Sequence, residues 1–353
     1  MSAVNLKPAV AIALVALTAL SGCSRAGSSD TPAAAQSKGP AGEVRLGYFP
    51  NVTHAAALIG VEKELFKKEL GSTKLTTQTF NAGPDEVNAL LGESLDIAYI
   101  GSGPAINAYA KSKGEAVKLI SGATSGGAAL VTKPEINSIE DLKGKTIATP
   151  QLANTQDVAL KKYLAGKNLT GQVTVQNVEN AQTLDLFKKG DIQAAWVPEP
   201  WSSRIVAEAG AKVLIDEKTL WEGGQFPTTV IIVRTKFLQE HPETVEAVLK
   251  GHVAAVDWAK SNADDAKKAV NAALEKLTSK KLGDKILDAA WKNIELTTDP
   301  QAKTFPQLAK DAVTAGVATE AANVAGYADF TLLNKVLQAQ GKPQVQAAGL
   351  DKK

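Results

Sequence analysis

The hydrophobic positions after residue 42 fall into two alternating patterns. Short runs rich in β-branched and aromatic residues are separated by longer stretches in which apolar residues recur every three or four positions. The first series predicts strands over 44–49, 75–80, 96–100 and 117–121, and helices over 55–70, 85–91 and 104–113. Such alternation is typical of βαβ units with largely parallel strands, so an α/β fold is expected.

A second series repeats the first. Ser138 is expected to cap a short helix that includes Asp141 and Leu142. Strands are then predicted over 146–148, 173–178, 194–197 and 213–215, and helices over 154–164, 182–188 and 202–209. The stretch 186–196 parallels 90–99, because each contains a helix end, a turn and an Asp-Ile strand. This repetition predicts two similar lobes, although helix–glycine–strand junctions look alike in any α/β protein.

The last third of the chain has a different pattern. A strand predicted over 228–234 is followed by a segment that is nearly all helical. Helices are predicted over 244–262, 264–277, 284–294, 301–315 and 330–340. We expect these helices to cover one lobe.

Composition narrows the classes of function. The 353 residues are 44% hydrophobic and include 28 glycines, a balance typical of a globular protein with a sizeable core. Lys and Arg number 39 against 37 Asp and Glu, and no basic stretch carries aromatics, so no nucleic-acid partner is expected. Three histidines and one cysteine argue against a zinc site or an internal disulfide. No metal and no cofactor are therefore expected.

The N-terminal segment predicts export. Lys7 precedes the apolar run 9–20, which is too short for a transmembrane helix of about 20 residues and is typical of a signal peptide. The sequence Leu-Ser-Gly-Cys that ends at Cys23 resembles the bacterial lipobox, which implies cleavage after residue 22 and acylation of the thiol. The alternative is an ordinary signal peptide with a chance cysteine.

A Ser-, Ala-, Gly- and Pro-rich stretch follows the cysteine. Residues 23–42 are predicted to form a flexible tether between a lipid anchor and a folded body. No later apolar run is long enough to cross a bilayer. The protein is thus expected at the outer face of the bacterial cytoplasmic membrane, or in the periplasm.

Three groups of residues carry a family resemblance. They are the run SIEDLKGKTIATP at 138–150, the pair DIAYIGSGPA and DIQAAWVPEPW, and the segment 227–252. Together they resemble the substrate-binding lipoproteins of ABC importers in the nitrate, taurine and aliphatic-sulfonate group. The resemblance spans 43 to about 258.

The resemblance implies a two-lobed periplasmic-binding-protein, or Venus-flytrap, fold with a helical C-terminal part. Lobe one would comprise 43–130 plus 226–350 and lobe two 131–225, with hinges near Thr132 and Phe226. A ligand would bind between the lobes of a monomer that delivers it to an ABC permease.

Candidate ligand-binding residues follow from the strand ends. In open α/β sheets, ligands lie beyond the carboxyl ends of the strands, where helix N-termini present free N–H groups. The polar and small residues at these junctions are Asn51, Thr53, His54, Ser102, Gly103, Ser125, Gly126, Gln151, Asn154, Thr155, Glu199, Trp201 and Thr228. Turn geometry, helix capping and core packing are the competing explanations for them.

The junctions also predict the class of ligand. They offer hydroxyls and a histidine but no clear Arg or Lys, so neutral donors are expected to hold a small organic anion. An aliphatic sulfonate or taurine is expected first, and a carboxylate or nitrate second. Glu199 would favour a ligand that also carries an amine or hydroxyl, unless it forms a salt bridge or caps the next helix.

Enzyme motifs are incomplete. Ile106 replaces the third glycine of a dinucleotide fingerprint at 101–106, and Ile139 replaces the first glycine of a P-loop at 139–146. The protein is therefore predicted not to be an enzyme. The alternatives are an enzyme of the same fold resembling thiamine-pyrimidine synthases, a nitrate or pyrimidine receptor, and an adhesive lipoprotein.

Overall fold

The computed structural model describes residues 37–352, so the predicted signal peptide, Cys23 and most of the predicted tether lie outside the described residues. The strands are β1 (Glu43–Tyr48), β2 (Lys74–Thr79), β3 (Ile97–Gly101), β4 (Val117–Gly126), β5 (Ala128–Thr132), β6 (Thr146–Thr149), β7 (Thr174–Asn177), β8 (Ala194–Pro198), β9 (Lys212–Asp216), β10 (Pro227–Arg234) and β11 (Ile294–Leu296).

The α-helices follow the predicted order closely. They are α1 (Ala55–Glu62), α2 (Leu65–Leu70), α3 (Gly83–Leu91), α4 (Ser102–Lys111), α5 (Thr155–Gly166), α6 (Asn180–Lys189), α7 (Trp201–Ala209), α8 (Thr235–Glu240), α9 (Pro242–Ser261), α10 (Ala263–Thr278), α11 (Asp284–Asn293), α12 (Phe305–Thr314) and α13 (Thr331–Ala339). Short 3₁₀ turns occupy Val52–His54, Glu140–Leu142, Glu217–Leu220, Glu222–Gly224 and Ala302–Thr304. None of the helices in 37–352 combines the length and apolarity that a membrane crossing needs.

The strands form two mixed sheets with the same plan. The first has the order β2-β1-β3-β10-β4-β11 and the second β7-β6-β8-β5-β9. In each sheet the first three strands are parallel and the fourth, β10 or β5, runs antiparallel to both neighbours. The prediction of largely parallel strands is therefore wrong for these two strands. Each is entered from the other sheet, so it needs none of the helical crossovers that parallel neighbours require.

The internal repeat is present, but its alignment differs from the prediction by two residues. The backbone N–H of Arg45 donates to Asp96 Oδ2 (2.9 Å), and the N–H of Thr146 makes the equivalent bond to Gln193 Oε1 (3.0 Å). Asp96 therefore corresponds to Gln193, whereas the sequence aligned it with Asp191.

The chain crosses between the sheets at two places. It passes directly from β4 to β5 through Gly127, whose φ of +78° is in the left-handed region, and a Cβ there would lie 2.5 Å from Ile294 Cγ2. It returns between Asp216 and Pro227. Strand β5 was not predicted, and the lobe boundary expected at residue 130 falls inside it.

Two local predictions need correction. The helix predicted over 55–70 breaks at Glu64, which adopts a φ of 54°, and the Phe66 ring then packs against Gly60, where a Cβ would lie 2.3 Å from it. The tether predicted to reach residue 42 ends earlier, because Ala41 is buried and its N–H donates to Thr244 Oγ1 (2.8 Å).

Both faces of the first sheet are buried. Alternate residues of its central strands point into two apolar clusters, which is the pattern of a sheet covered on both sides. Helices α1, α2, α9, α10 and α13 build one layer, and α3, α4 and α12 contribute to the other. The C-terminal helices thus pack mainly on the first sheet, while α5, α6 and α7 cover the second.

Candidate functional site

A small cavity of about 20 Å³ lies where the carboxyl ends of both sheets meet. It is lined by Phe49, Asn51, Thr53, His54, Asn81, Gly101, Pro104, Asn154, Thr155, Gln156, Asn180, Pro198, Thr228 and Thr229. We call it the interlobe cavity. Its volume suffices for about one water molecule. Six of the predicted site residues line it: Asn51, Thr53, His54, Asn154, Thr155 and Thr228.

His54 forms one wall of the interlobe cavity. Its side chain is buried, its ring stacks on Phe49 with centroids 4.3 Å apart, and its Nδ1 accepts the backbone N–H of Phe49 (3.1 Å). Burial lowers the pKa of His54 to about 3, so the imidazole is neutral at physiological pH. Beside it, Thr53 Oγ1 donates to Asn51 Oδ1 (2.7 Å). The segment between β1 and α1 thus forms a polar wall whose side chains are bonded to one another.

Two helix N-termini approach each other across the interlobe cavity. The backbone N–H of Gly103, in the first turn of α4, donates to Oγ1 of Thr155, the first residue of α5 (3.2 Å). A Cβ at Gly101 would lie 2.5 Å from Thr155 Oγ1, and one at Gly103 would lie 3.2 Å from the Thr155 Cα. Glycine at both positions therefore permits this close approach.

Asp157 organises the second-sheet wall and was missed by the sequence analysis. Its buried carboxylate accepts the Ala153 N–H (2.9 Å) and the Lys161 ammonium (2.8 Å), which holds Ala153 at a φ of 62°. Asn154 follows at the N-cap of α5, where its Oδ1 accepts the Gln156 N–H (2.8 Å). The acid in the first turn of a predicted helix is the signal that could have indicated Asp157.

Two buried hydroxyls have no hydrogen-bond partner among the described residues, one on a residue that lines the interlobe cavity and one on a residue that follows a lining residue in the chain. They belong to Ser102, at the start of α4, and Thr229, which pairs with Gly101 in the neighbouring strand. Thr228, by contrast, donates to the Gly126 carbonyl. Buried polar atoms are nearly always hydrogen-bonded, so the two hydroxyls are exceptions among the described residues.

Three predicted residues make contacts outside the interlobe cavity. Ser125 Oγ accepts a hydrogen bond from Gln301 Nε2 (2.7 Å), and the carbonyl of Gly126 is bonded to Thr228. Gln151, which follows β6 of the second sheet, donates through Nε2 to Oδ2 of Asp85 in α3, a helix that covers the first sheet (2.8 Å). The structure therefore places these residues in contacts that support or surround the site.

Glu199 and Trp201 also lie away from the interlobe cavity. Glu199 lines a separate cavity of about 250 Å³ between α7 and α11, where it accepts hydrogen bonds from Ser203 Oγ (2.9 Å) and Asn293 Nδ2 (2.6 Å). Burial raises the pKa of this carboxyl group, and its hydrogen bonds oppose the rise. The Arg204 guanidinium lies over the Trp201 ring at 5.4 Å. Helix capping, the competing explanation for Glu199, matches the bond it accepts from the Ser203 N–H (3.2 Å).

The interlobe cavity has a neutral lining and positive helix ends. Its lining residues include no Asp, Glu, Lys or Arg, and helices α4, α5 and α6 all begin at it. Their free N–H groups favour an anion. The sequence analysis missed Asn81 and Asn180, which follow the equivalent strands β2 and β7 and could have been found by the same strand-end rule.

Comparison with known proteins shows which family the chain belongs to. The model of the NMT1-like family matches residues 37–274, so the chain belongs to that family. It is 31% identical over 189 residues to the taurine-binding periplasmic protein of Escherichia coli (strain K12), covering 53% of this chain and 58% of that protein. It therefore spans somewhat over half the length of that relative.

Two further proteins that resemble the chain are also named as binding proteins. The chain is 27% identical over 234 residues to a Bacillus subtilis (strain 168) protein assigned to aliphatic sulfonate binding, covering 64% of this chain and 67% of that protein. The periplasmic nitrate-binding protein NrtA from Synechocystis PCC 6803 superposes with a TM-score of 0.70 at 15% identity, over 85% of this chain and 89% of that one.

These similarities confirm the predicted group and the periplasmic-binding-protein fold. The relatives are named as binding proteins, in agreement with the expectation of a binding protein rather than an enzyme. The taurine-binding relative is named as a periplasmic protein.

Proposed function

We propose that this protein is an extracytoplasmic receptor that binds a small organic anion, an aliphatic sulfonate or taurine, and delivers it to an ABC permease. The observation that supports this proposal most directly is the interlobe cavity, in which three helix N-termini and neutral donors from both sheets converge. Such a lining attracts an anion without a countercharge. The taurine-binding and sulfonate-binding relatives support the choice of head group.

Ligand entry requires the lobes to separate. The interlobe cavity holds about 20 Å³, less than a sulfonate needs, and direct contacts join the two sheets around it. These contacts are Gly103–Thr155, Gln151–Asp85, Glu199–Asn293 and the ion pair Lys162–Asp311 (3.5 Å). The two crossings, at Gly127 and between Asp216 and Pro227, are the segments that would act as hinges.

The protein would be held at the membrane through Cys23. The lipobox-like sequence and the stretch between it and the folded body support this part of the proposal. Replacing the thiol, Cys23→Ser, is expected to release the protein from the membrane fraction while the body stays folded. Retention of Cys23→Ser in that fraction in detergent-free buffer would contradict the anchor.

Binding is tested by thermal unfolding and titration calorimetry with taurine, ethanesulfonate and nitrate. A ligand at 100 times its Kd should stabilise the folded state by about 2.7 kcal/mol, and the sulfonates are expected to give larger shifts than nitrate. Small-angle scattering should show a smaller radius of gyration with ligand than without. Absence of any shift with all three ligands would refute the proposed function.

A pair of variants locates the site. Asn51→Asp places a negative charge in the interlobe cavity and should weaken sulfonate binding at least about 100-fold, because the charge faces the anion. Asn262→Asp makes the same replacement at the exposed N-cap of α10, outside the cavity, and should leave affinity unchanged. Equal effects of the two substitutions would place the ligand elsewhere.

A further inference from the structure

We infer that the cavity of about 250 Å³ between α7 and α11 is a second ligand site, which binds a small primary ammonium ion with a hydrocarbon body. We call it the α7–α11 cavity. Glu199 and residues of β5, α7, β9 and α11 line it, and none of them lines the interlobe cavity. The inference does not rest on the anion proposed for the interlobe cavity, so each of the two can fail without the other.

The first chain crossing runs between the two cavities. A Cβ at Gly127 would lie 3.3 Å from Cγ2 of Thr53, which lines the interlobe cavity, and 2.5 Å from Cγ2 of Ile294, which directly follows α11. Helix α7 packs on the second sheet, whereas α11 contributes Leu287 and Ala290 to a cluster on the first sheet. The α7–α11 cavity is therefore built by elements from both sheets.

Most of the wall of the α7–α11 cavity is apolar. It includes Ala128 and Ala129 of β5, Val206 of α7, Val213 of β9 and Ala289 of α11. Val213 is 50% exposed and is one of four large apolar side chains in 37–352 that remain exposed, so a hydrocarbon bound beside it would remove apolar surface from water. An apolar cavity of about 150 Å³ can hold benzene, so this one has room for a chain of about five carbons and its head group.

Glu199 brings one buried charge to this wall. It is 1% exposed, and it forms no ion pair with any of the residues 37–352. It accepts hydrogen bonds from the Ser203 N–H (3.2 Å), Ser203 Oγ (2.9 Å) and Asn293 Nδ2 (2.6 Å), all of which are neutral donors. Donors favour the ionised form of a carboxyl group, and buried charges are usually paired. A cation is therefore the partner that Glu199 lacks.

The other charged residues of the cavity do not supply that cation. Asp216 pairs with Lys218 (3.4 Å), and Lys285 is exposed at the opposite end of α11 from Asn293, with its backbone about 12 Å away along the helix. No group of three or more His, Cys, Asp or Glu side chains in 37–352 could hold a metal ion. A primary ammonium with an apolar chain matches both the carboxylate and the wall.

The first test titrates the purified protein with n-pentylammonium, 1-pentanol and pentanoate at pH 8. Nitrogen-15 NMR should show a shift of the Ser203 N–H signal, because this group is bonded to Glu199. The ammonium is expected to bind at least about 10-fold more tightly than the alcohol, the size of one charge-assisted hydrogen bond, and pentanoate most weakly. An unshifted Ser203 signal, equal affinities for ammonium and alcohol, or preference for pentanoate would overturn the inference.

The second test removes the charge. Glu199→Gln keeps an oxygen acceptor for Ser203 and Asn293, and it should weaken n-pentylammonium at least about 10-fold while changing 1-pentanol by less than about threefold. Glu135→Gln makes the same change of charge at an exposed residue outside the cavity and should keep the parental affinity for both ligands. Equal effects of the two substitutions on n-pentylammonium would contradict the inference.

A third test fills the cavity. Ala289→Phe places a ring in the space proposed for the hydrocarbon and should abolish binding of both n-pentylammonium and 1-pentanol, with circular dichroism as the check on folding. Parental affinity for n-pentylammonium in folded Ala289→Phe would overturn the inference. If Ala289→Phe does not fold, the comparison of Glu199→Gln with Glu135→Gln decides. Failure of the parent to bind any sulfonate or nitrate would refute the proposed function and leave this inference standing.

Discussion

Each sheet has a large buried aromatic residue at the same position. Its hydrogen-bond partner is a histidine in the first sheet and a glutamate in the second. Tyr99 and Trp196, three residues beyond Asp96 and Gln193, are both fully buried. The Tyr99 hydroxyl donates to His252 Nδ1 (2.9 Å), whose Nε2 donates to a backbone carbonyl (2.9 Å). The Trp196 indole donates to Glu217 Oε2 (2.9 Å). The repeat therefore specifies the strands, while the polar partners come from segments outside it.

Because one partner is a histidine and the other a glutamate, their contributions to the stability of the folded state change with pH in opposite directions. Burial lowers the pKa of His252 to about 4, so its contribution to stability is present above its usual pKa of 6.5 and is lost as the pH falls. Burial raises the pKa of Glu217 to about 8, against the hydrogen bond from Trp196. The contribution of Glu217 is present below about pH 4.5 and is lost as the pH rises through 8.

The largest expected effect is the difference in the free energy of unfolding between alanine variants at the equivalent positions Asp96 and Gln193. Asp96 is 2% exposed and accepts bonds from the guanidinium groups of Arg45 (2.6 and 2.8 Å) and Arg234 (2.7 Å). Asp96→Ala removes the buried carboxylate that both guanidinium groups share, leaving Arg234 only its ion pair with Glu93 (3.3 Å), and should lower the free energy of unfolding by about 3 kcal/mol. Gln193→Ala removes two neutral hydrogen bonds, from the Thr146 N–H (3.0 Å) and to the Gly190 carbonyl (2.7 Å), and should cost about 1–2 kcal/mol.

Urea unfolding, followed by both circular dichroism and tryptophan fluorescence, measures these free energies. Coincident transitions justify the comparison. Equal losses for Asp96→Ala and Gln193→Ala would show that the repeat, rather than the arginine pair, determines the stability at this position.

The next prediction concerns Glu217. Between pH 5 and pH 8, ionisation of this residue should reduce the free energy of unfolding by about 3 kcal/mol. Glu217→Gln keeps an oxygen for the Trp196 indole but does not titrate, so the variant should gain stability relative to the parent as the pH rises. Urea unfolding at intervals across pH 4–9 measures the difference.

His252→Gln is the matched control on the first sheet. Its stability relative to the parent should change mainly between pH 6.5 and 4, with the opposite sign. If the stability difference between Glu217→Gln and the parent stays flat from pH 5 to 8, Glu217 does not have a raised pKa in the folded protein.

The smallest expected effect compares Ser102 with Glu199, which occupy equivalent positions after β3 and β8. Ser102→Ala removes a buried hydroxyl beside the interlobe cavity and should weaken sulfonate binding about 10- to 100-fold, the size of one charge-assisted bond. Glu199 lies outside this cavity, so Glu199→Gln should change affinity by less than about threefold. Any effect should appear as a change in the relative affinities for taurine and ethanesulfonate. Calorimetry with both ligands measures the pair. Unchanged affinity in Ser102→Ala would move the head group away from α4.

The sequence by itself determined most elements and six of the fourteen residues that line the interlobe cavity. The periodicity located nearly all strands and helices, and the rule that ligands lie beyond strand ends found Asn51, His54 and Thr155. The hydrogen bond expected of Ser138 is present, since its Oγ accepts the Asp141 N–H (3.3 Å), although the N-cap residue of the 3₁₀ turn is Ile139. These features depend on residues close together in the chain, so local patterns are sufficient to reveal them.

Only the tertiary structure decided the rest. Strands β5 and β10 are antiparallel to their neighbours because the chain enters each of them from the other sheet. Glu199 turns toward Asn293, a partner 94 residues away, rather than into the interlobe cavity. Asp157 supports the cavity through a turn whose left-handed residue, Ala153, has no sequence signal of its own. The strand directions and the partner of Glu199 depend on contacts between segments distant in sequence, and neither periodicity nor residue type records which distant segment a side chain will meet.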